Sequence, residues 1–167
     1  DFVLPMGAGL EQSVAATKSY LASLSALLQL CAYWNNNTAL LASLNNLPDA
    51  LEQVLTHPAQ LTPDLLHDIQ HCVMLGRGFG YAISREMALN DVKVEDETAD
   101  VHSSQIQTFA QQGGRVVSLS HPKLALHPRC LPLLVVLRFY VDIERIAQAY
   151  GRDPDRPQGL KKVTETH

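Results

Sequence analysis

The stretch from His71 to Leu89 places an apolar run, Cys72 to Leu75, ahead of Gly76, Arg77, Gly78 and Gly80, and then a helical pattern. That order reads as strand, tight glycine turn and helix start. Glycine lets the backbone bend sharply and leaves N–H groups uncovered, and the first turn of a helix adds partial positive charge. Such a turn can hold an anion, or it can sit against another backbone as a packing device. Gly-x-Gly-x-Gly taken alone does not separate the two.

Around this unit the chain alternates helices with short apolar segments. Val3-Leu4 reads as a short strand leading into a Gly7–Gly9 turn. From Ser13 to about Trp34, Val14, Leu21, Leu24, Leu27, Leu28 and Cys31 recur at helical spacing, which predicts a long helix with one wide apolar face. Asn35-Asn36-Asn37 breaks it and can cap the next helix, from Thr38 to about Leu47. Pro48 interrupts or restarts that helix, and helical spacing resumes through Leu51, Val54 and Leu55 to His57-Pro58. Thr62-Pro63 starts a shorter helix, with Thr62 as cap and Pro63 in the first turn.

Past the glycine turn, Phe79 to Leu89 predicts a helix presenting Ile83, Met87 and Ala88, and Val101 to Gln112 another, ended by Gly113-Gly114. Arg115 to Leu119 reads as a strand from its β-branched centre. Leu131 to Tyr150 is the last long helix, with Leu134, Leu137, Val141 and Ile146 on its buried side. Helices alternating with short apolar strands imply an α/β fold, a three-layer αβα sandwich whose parallel sheet is covered on both faces.

Composition limits the partners. The 167 residues suffice for one sizeable core, and 46% hydrophobic against 18% charged residues marks a globular chain. The net charge of −4 and pI near 5.9, with no basic run longer than Lys161-Lys162, argue against nucleic acid and anionic membrane. No window approaches the roughly 18 apolar residues of a membrane span. Cys31, Cys72 and Cys130 are far apart in apolar sequence, which reads as buried reduced thiols in a cytoplasmic protein.

Metal and hydrolase chemistry find little support. His67 and His71 have helical spacing for a metal, but no third ligand or adjacent Glu accompanies them. Ser84 and Ser103-Ser104 have no nucleophile elbow around them. The reading is therefore of a chain without metal or cofactor.

Two more stretches join the glycine turn, Gly7-Ala-Gly-Leu-Glu-Gln-Ser-Val-Ala-Ala-Thr-Lys18 and Gly151-Arg-Asp-Pro-Asp-Arg-Pro-Gln-Gly-Leu-Lys-Lys-Val-Thr-Glu-Thr166. With Leu75-Gly-Arg-Gly78 they resemble, in the same order, the second half of double sugar isomerase (SIS) domain proteins. That family includes the isomerase half of glutamine–fructose-6-phosphate transaminase and the related amino-sugar-phosphate deaminases. The resemblance implies an SIS-type fold, flavodoxin-like or Rossmann-like in its layering. It divides the chain into residues 1–12, the end of a preceding SIS domain and a connecting turn, residues 13–150, the second SIS domain, and residues 151–167, an active-site tail. The opening Asp1-Phe-Val-Leu-Pro5, without an initiator Met, reads as the tail of a strand in a longer protein.

The same resemblance implies site residues. Ser13, Val14, Ala15 and Ala16 match a turn and helix start that line the sugar; Ala16 stands where the family has a hydroxyl, and Ser13 either replaces that contact or simply caps the helix. Lys162 matches a tail lysine that reaches the open-chain sugar and can stabilise an oxyanion or form an imine. Anchoring on Val163-Thr164 would favour Lys161, and both can equally be solvated tail lysines. Gly76, Arg77 and Gly78 form the supporting turn. Glu86, on the following helix, is expected to orient backbone or a neighbouring subunit.

The proton-transfer Glu of the family has no counterpart. At the 90/91 junction the pattern runs from the helix of Glu86 straight into Val94-Glu-Asp-Glu-Thr98, where the family inserts a further segment. Either that segment is truly absent or the sequence joins the two sides of a mobile loop. Glu95, Asp96 and Glu97 read as a solvated turn. The activity implied is deamination and isomerisation of an amino-sugar 6-phosphate, glucosamine 6-phosphate giving fructose 6-phosphate and ammonia, within a longer chain and a homodimer; the fragment alone is expected to be inactive. The alternatives are the isomerase domain of the transaminase and a non-catalytic sugar-phosphate sensor.

Overall fold

The structure is a computed structural model that describes residues 3–11, 13, 15–69, 72, 74, 76, 78–87, 107–108 and 110–156. The helices are α1 (Thr17–Trp34), α2 (Thr38–Asn45), α3 (Leu47–Thr56), α4 (Pro63–Leu66), α5 (Gly80–Met87) and α6 (Leu131–Ala149), with a 3₁₀ turn at Pro128–Cys130 leading into α6.

Local chemistry sets most of these boundaries. The Asn37 side chain accepts a hydrogen bond from the Leu40 N–H, capping α2 as the sequence suggested. Pro48 sits in the first turn of α3, where its missing N–H costs nothing, and so restarts the helix. Thr62 and Pro63 stand at the start of α4 as expected, but the Thr62 hydroxyl makes no capping bond. The helix predicted from Ser13 begins instead at Thr17. Ala16, its N-cap, offers no side-chain acceptor, so the cap comes from further away: Glu11 Oε2 accepts from the Ser19 N–H at 3.0 Å and from its hydroxyl at 3.1 Å.

Helix α6 is the centre of the packing, lying against α1, α3 and α5. Its Leu133 and Leu134 join Leu40, Leu44, Leu47, Val54 and Cys130 in one core cluster, while Val136, Phe139 and Ile146 join Leu61, Ile83 and Met87 in a second. Burying a side chain of this size stabilises by about 1.5–3 kcal/mol. Of the predicted buried stripe, Leu134 and Ile146 are buried and Leu137 and Val141 are half-buried. Two charged residues, Arg138 and Asp142, are buried on the same helix.

Three expectations change. Helix α1 buries a narrower stripe than predicted: Leu21, Leu24 and Leu28 pack inward, while Leu27 is 55% exposed and Cys31 is also exposed. Of the cysteines read as buried, only Cys130 is; Cys31 and Cys72 are exposed. No strand occurs among the described residues. Val3, Val116 and Val117 are 88%, 46% and 40% exposed, where a sheet covered on both faces would bury them. The predicted strand at 72–75 is described only at residues 72 and 74, and most of the predicted helix at 101–112 lies outside the described residues. Its end is seen, with Gly113 at φ +82° and its N–H bonded to the Ala110 carbonyl.

Candidate functional site

Glycines shape the approach to α1. Gly7 and Gly9 adopt φ of +64° and +68°, conformations costly for any residue with a Cβ. They fold residues 7–11 back along the first turn of α1. Lys18 Nζ donates to the Leu10 carbonyl at 2.9 Å, and Glu11, 4% exposed, reaches Ser19 as described above.

The far end of the chain returns to the same place. α6 terminates with Gly151 at φ +66°, its N–H bonded to the Gln148 carbonyl and the Arg152 N–H to the Ala147 carbonyl. This paired closure of the last helical carbonyls redirects the backbone sharply. Asp153 Oδ1 then accepts from the Asp155 N–H at 2.9 Å, forming a side-chain-closed turn. From that turn the Asp155 carboxylate accepts a short hydrogen bond from the Ser13 hydroxyl. Ser13, assigned from sequence either to the sugar or to the cap of α1, is therefore bonded to the tail; the cap belongs to Glu11.

Ala15 and Ala16 are exposed, and their carbonyls accept from the Thr17 and Tyr20 N–H groups as the chain enters the helix. Val14, Arg77, Lys161 and Lys162 lie outside the described residues, as do Glu95, Asp96, Glu97, His71 and the 90/91 junction.

The glycine turn is a close-packed one. A Cβ on Gly76 would stand 1.8 Å from Ser84 Oγ and 2.8 Å from the Gly80 carbonyl oxygen. Gly78 adopts φ +56°, and the Tyr81 N–H bonds back to its carbonyl. Arg129, from the turn before α6, lies over the Phe79 ring at 5.5 Å, holding the bend from outside.

Glu86 connects α5 to its neighbours. Its Oε1 accepts from the Tyr140 hydroxyl of α6 at 2.9 Å. Burial and then this carboxylate push the Tyr140 phenol far above its ordinary range, and Tyr20 of α1 is raised by the same causes. Tyr20 also donates to the Ala82 carbonyl at 3.5 Å, tying the first turn of α1 to α5. The sequence signalled Glu86 but not Glu11, Tyr20, Tyr140 or Asp155, whose partners are remote in sequence or follow no motif.

Among the described residues no group of three His, Cys, Asp or Glu side chains could hold a metal. His67 Nδ1 instead pairs with Asp68 at 2.7 Å on the surface. Nor is any described helix long and apolar enough to cross a membrane.

No family model matches the chain. It is 31% identical over 147 residues to the isomerizing glutamine–fructose-6-phosphate aminotransferase of Thermotoga maritima, which covers 82% of the chain and 22% of that protein. It is 32% identical over 146 residues to the Salmonella typhimurium protein of the same name and 31% identical to that of Escherichia coli K12, covering 81% of the chain in each case. The chain thus spans 22% of the length of these curated relatives. Its fold matches a solved protein of Silicibacter pomeroyi, provisionally described as a phosphosugar isomerase, with a TM-score of 0.70 and 25% identity, over 90% of this chain and 58% of that one. Together with the three sequence stretches, these likenesses show that the chain belongs to the sugar isomerase (SIS) domain family.

Proposed function

We propose that this chain is the second SIS domain of a longer phosphosugar enzyme, spanning residues 13–150 with residues 151–167 as its active-site tail. The activity proposed is conversion of glucosamine 6-phosphate to fructose 6-phosphate and ammonia. The observation that carries the reading is the Ser13–Asp155 hydrogen bond, which joins the turn entering α1 to the root of the tail. The α1-to-α5 link through Tyr20 adds support by bringing the helix after the glycine turn to the same first turn.

In this reading the turn at Ser13, Val14, Ala15 and Ala16 offers backbone groups to sugar hydroxyls. Lys162 supplies an ammonium to a developing oxyanion or an amine to a keto carbon. Gly76, Arg77 and Gly78 support the arrangement, and Glu86 holds α5 in place. Moving the proton between C1 and C2 needs a carboxylate that none of the described residues matches, so the chain alone should turn over poorly. The tail Lys-Val-Thr-Glu-Thr166 favours the deaminase over the transaminase, whose ending resembles Lys-Ser-Val-Thr. The likeness to the aminotransferases favours the second reading, their isomerase module.

Ammonia release from glucosamine 6-phosphate by the full-length protein, with and without glutamine, separates the two. Ammonia without glutamine supports the deaminase. Amino-sugar formation from fructose 6-phosphate that requires glutamine supports the transaminase, and neither reaction would leave the sensor.

The proposal includes a homodimer. Leu27, Leu30, Tyr33 and Trp34 lie exposed along α1, Trp34 at 82%, within a run from Ser19 to Pro48 that holds no charged residue. An uncharged apolar face meets a second copy of itself without like-charge repulsion, even in a chain of net charge −4.

A further inference from the structure

We infer that Glu86 and Tyr20 form a site for a primary ammonium group and so distinguish an amino sugar from its hydroxyl analogue. The ligand assigned here rests on the phosphosugar reading. Helix α5 supplies the carboxylate, α6 its support and α1 a second acceptor. Glu86 Oε1 accepts from the Tyr140 hydroxyl at 2.9 Å, and Oε2 has no bond among the described residues. The ion pairs of the described residues are His67 with Asp68 and Arg138 with Asp142, so no described cation balances Glu86. A half-buried carboxylate held by a neutral phenol keeps its charge and has acceptor capacity left over.

Tyr20 brings this charge to the start of α1. Burial and then the Glu86 carboxylate raise both phenols, so the carboxylate lies beside Tyr20 as well as Tyr140. The Tyr20 N–H bonds to the Ala16 carbonyl, and its hydroxyl to the Ala82 carbonyl at 3.5 Å. One helical turn, about 6 Å of rise over four residues, therefore separates Tyr20 from Ala16, in the turn proposed to line the sugar. An ammonium carries three N–H donors and no acceptor. Glu86 Oε2, the Tyr20 hydroxyl oxygen and the Tyr20 ring offer it two acceptors and a π face. A hydroxyl in the same place donates only once and brings no charge to balance the carboxylate.

Equilibrium binding to the full-length protein tests the site with two unreactive open-chain probes, 2-amino-2-deoxyglucitol 6-phosphate and glucitol 6-phosphate. Both lack the carbonyl that isomerisation needs. The parent should bind the amino probe ~10-fold or more tightly. Glu86→Gln keeps an acceptor for the Tyr140 hydroxyl and removes the charge. It should bring the two affinities within about twofold of each other, with glucitol 6-phosphate within about threefold of the parent value. Tyr20→Phe keeps the ring, removes one acceptor and should lower the preference ~3-fold. A Glu86 that only supports the fold would weaken both probes alike in Glu86→Gln. That result, or an unchanged preference in Glu86→Gln, would overturn the site. A parent that binds both probes equally would also overturn it and leave the phosphosugar reading standing. A parent that binds neither would overturn that reading, and the ligand assigned here with it.

Discussion

Arg138 and Asp142, one turn apart on α6, approach to 2.6 Å with both side chains withdrawn from solvent. Neither of the two atoms in that approach has a hydrogen-bond partner, so the contact is Coulombic. The directional bonds go elsewhere. Arg138 Nη1 donates to the Val54 and His57 carbonyls at 3.0 and 2.9 Å, and Asp142 Oδ2 accepts from the Gln60 and Leu61 N–H groups at 2.8 and 3.1 Å. The pair therefore fastens the end of α3 and the following loop to α6.

Removing one member strands the other's charge in the core. Asp142→Ala should cost about 3–5 kcal/mol. Unlike a self-contained ion pair, replacing both residues with apolar ones should remain destabilising, by over ~2 kcal/mol, because backbone groups of residues 54–61 lose their partners. Urea denaturation of the two variants measures this. A double variant as stable as the parent would show that those backbone groups find water or new partners.

Gly76→Ala tests the close-packed turn. Its Cβ would overlap the Ser84 hydroxyl, which can rotate away, but it would also crowd the Ser84 Cβ and the Gly80 carbonyl, which are fixed to backbone and cannot move cheaply. A loss of about 1–3 kcal/mol is expected. Adding Ser84→Ala should recover only part of it, as read from denaturation midpoints.

Tyr140 should make the fold sensitive to alkali. Its phenol is raised from 10.0 in the folded state by burial and by Glu86, so the folded chain keeps a proton that the unfolded chain gives up. Its contribution is complete below pH 10 and is lost as pH climbs above that value. In Tyr140→Phe, the fall of stability with pH above 10 should be shallower by about one proton's worth of slope. Equal slopes for the two proteins would mean that the phenol ionises as freely in the fold as out of it.

Under the proposed function, Lys162→Ala in the full-length protein should lower kcat at least ~100-fold if the amine acts in the transition state. Lys161→Ala is the control for the competing alignment. A loss confined to Lys161→Ala would move the role by one residue.

The sequence made local chemistry legible and long-range chemistry opaque. Asn37, Pro48 and Pro63 announced their helix starts because capping and proline geometry act within one turn. The stripe on α6 was visible in Leu134 and Ile146, but the charges of Arg138 and Asp142 spoil the apolar pattern, and their partners come from α3 and its loop. α1 looked wider on its buried side because the period of a helix tells which residues share a face, not how much of that face a neighbour covers. Ser13 drew notice as a hydroxyl beside a helix start. That it would bond to Asp155, across nearly the whole chain, depends on the glycine-directed end of α6, which no spacing encodes. The strand predicted at 115–119 rested on a β-branched centre, which marks a residue fit for a pleated layer without supplying the adjacent strand that a ladder requires.

The buried carboxylate of Glu11 carries a consequence for what could settle at the start of α1. The partial positive charge there is already matched by an anion of the protein's own, bonded to Ser19. An outside group at this spot would find the Ser19 N–H and hydroxyl already engaged and the Lys18 ammonium held on the Leu10 carbonyl beside them. This helix start is thereby closed by the chain's own side chains, and a newcomer has to displace them before it can use the N–H of residue 19.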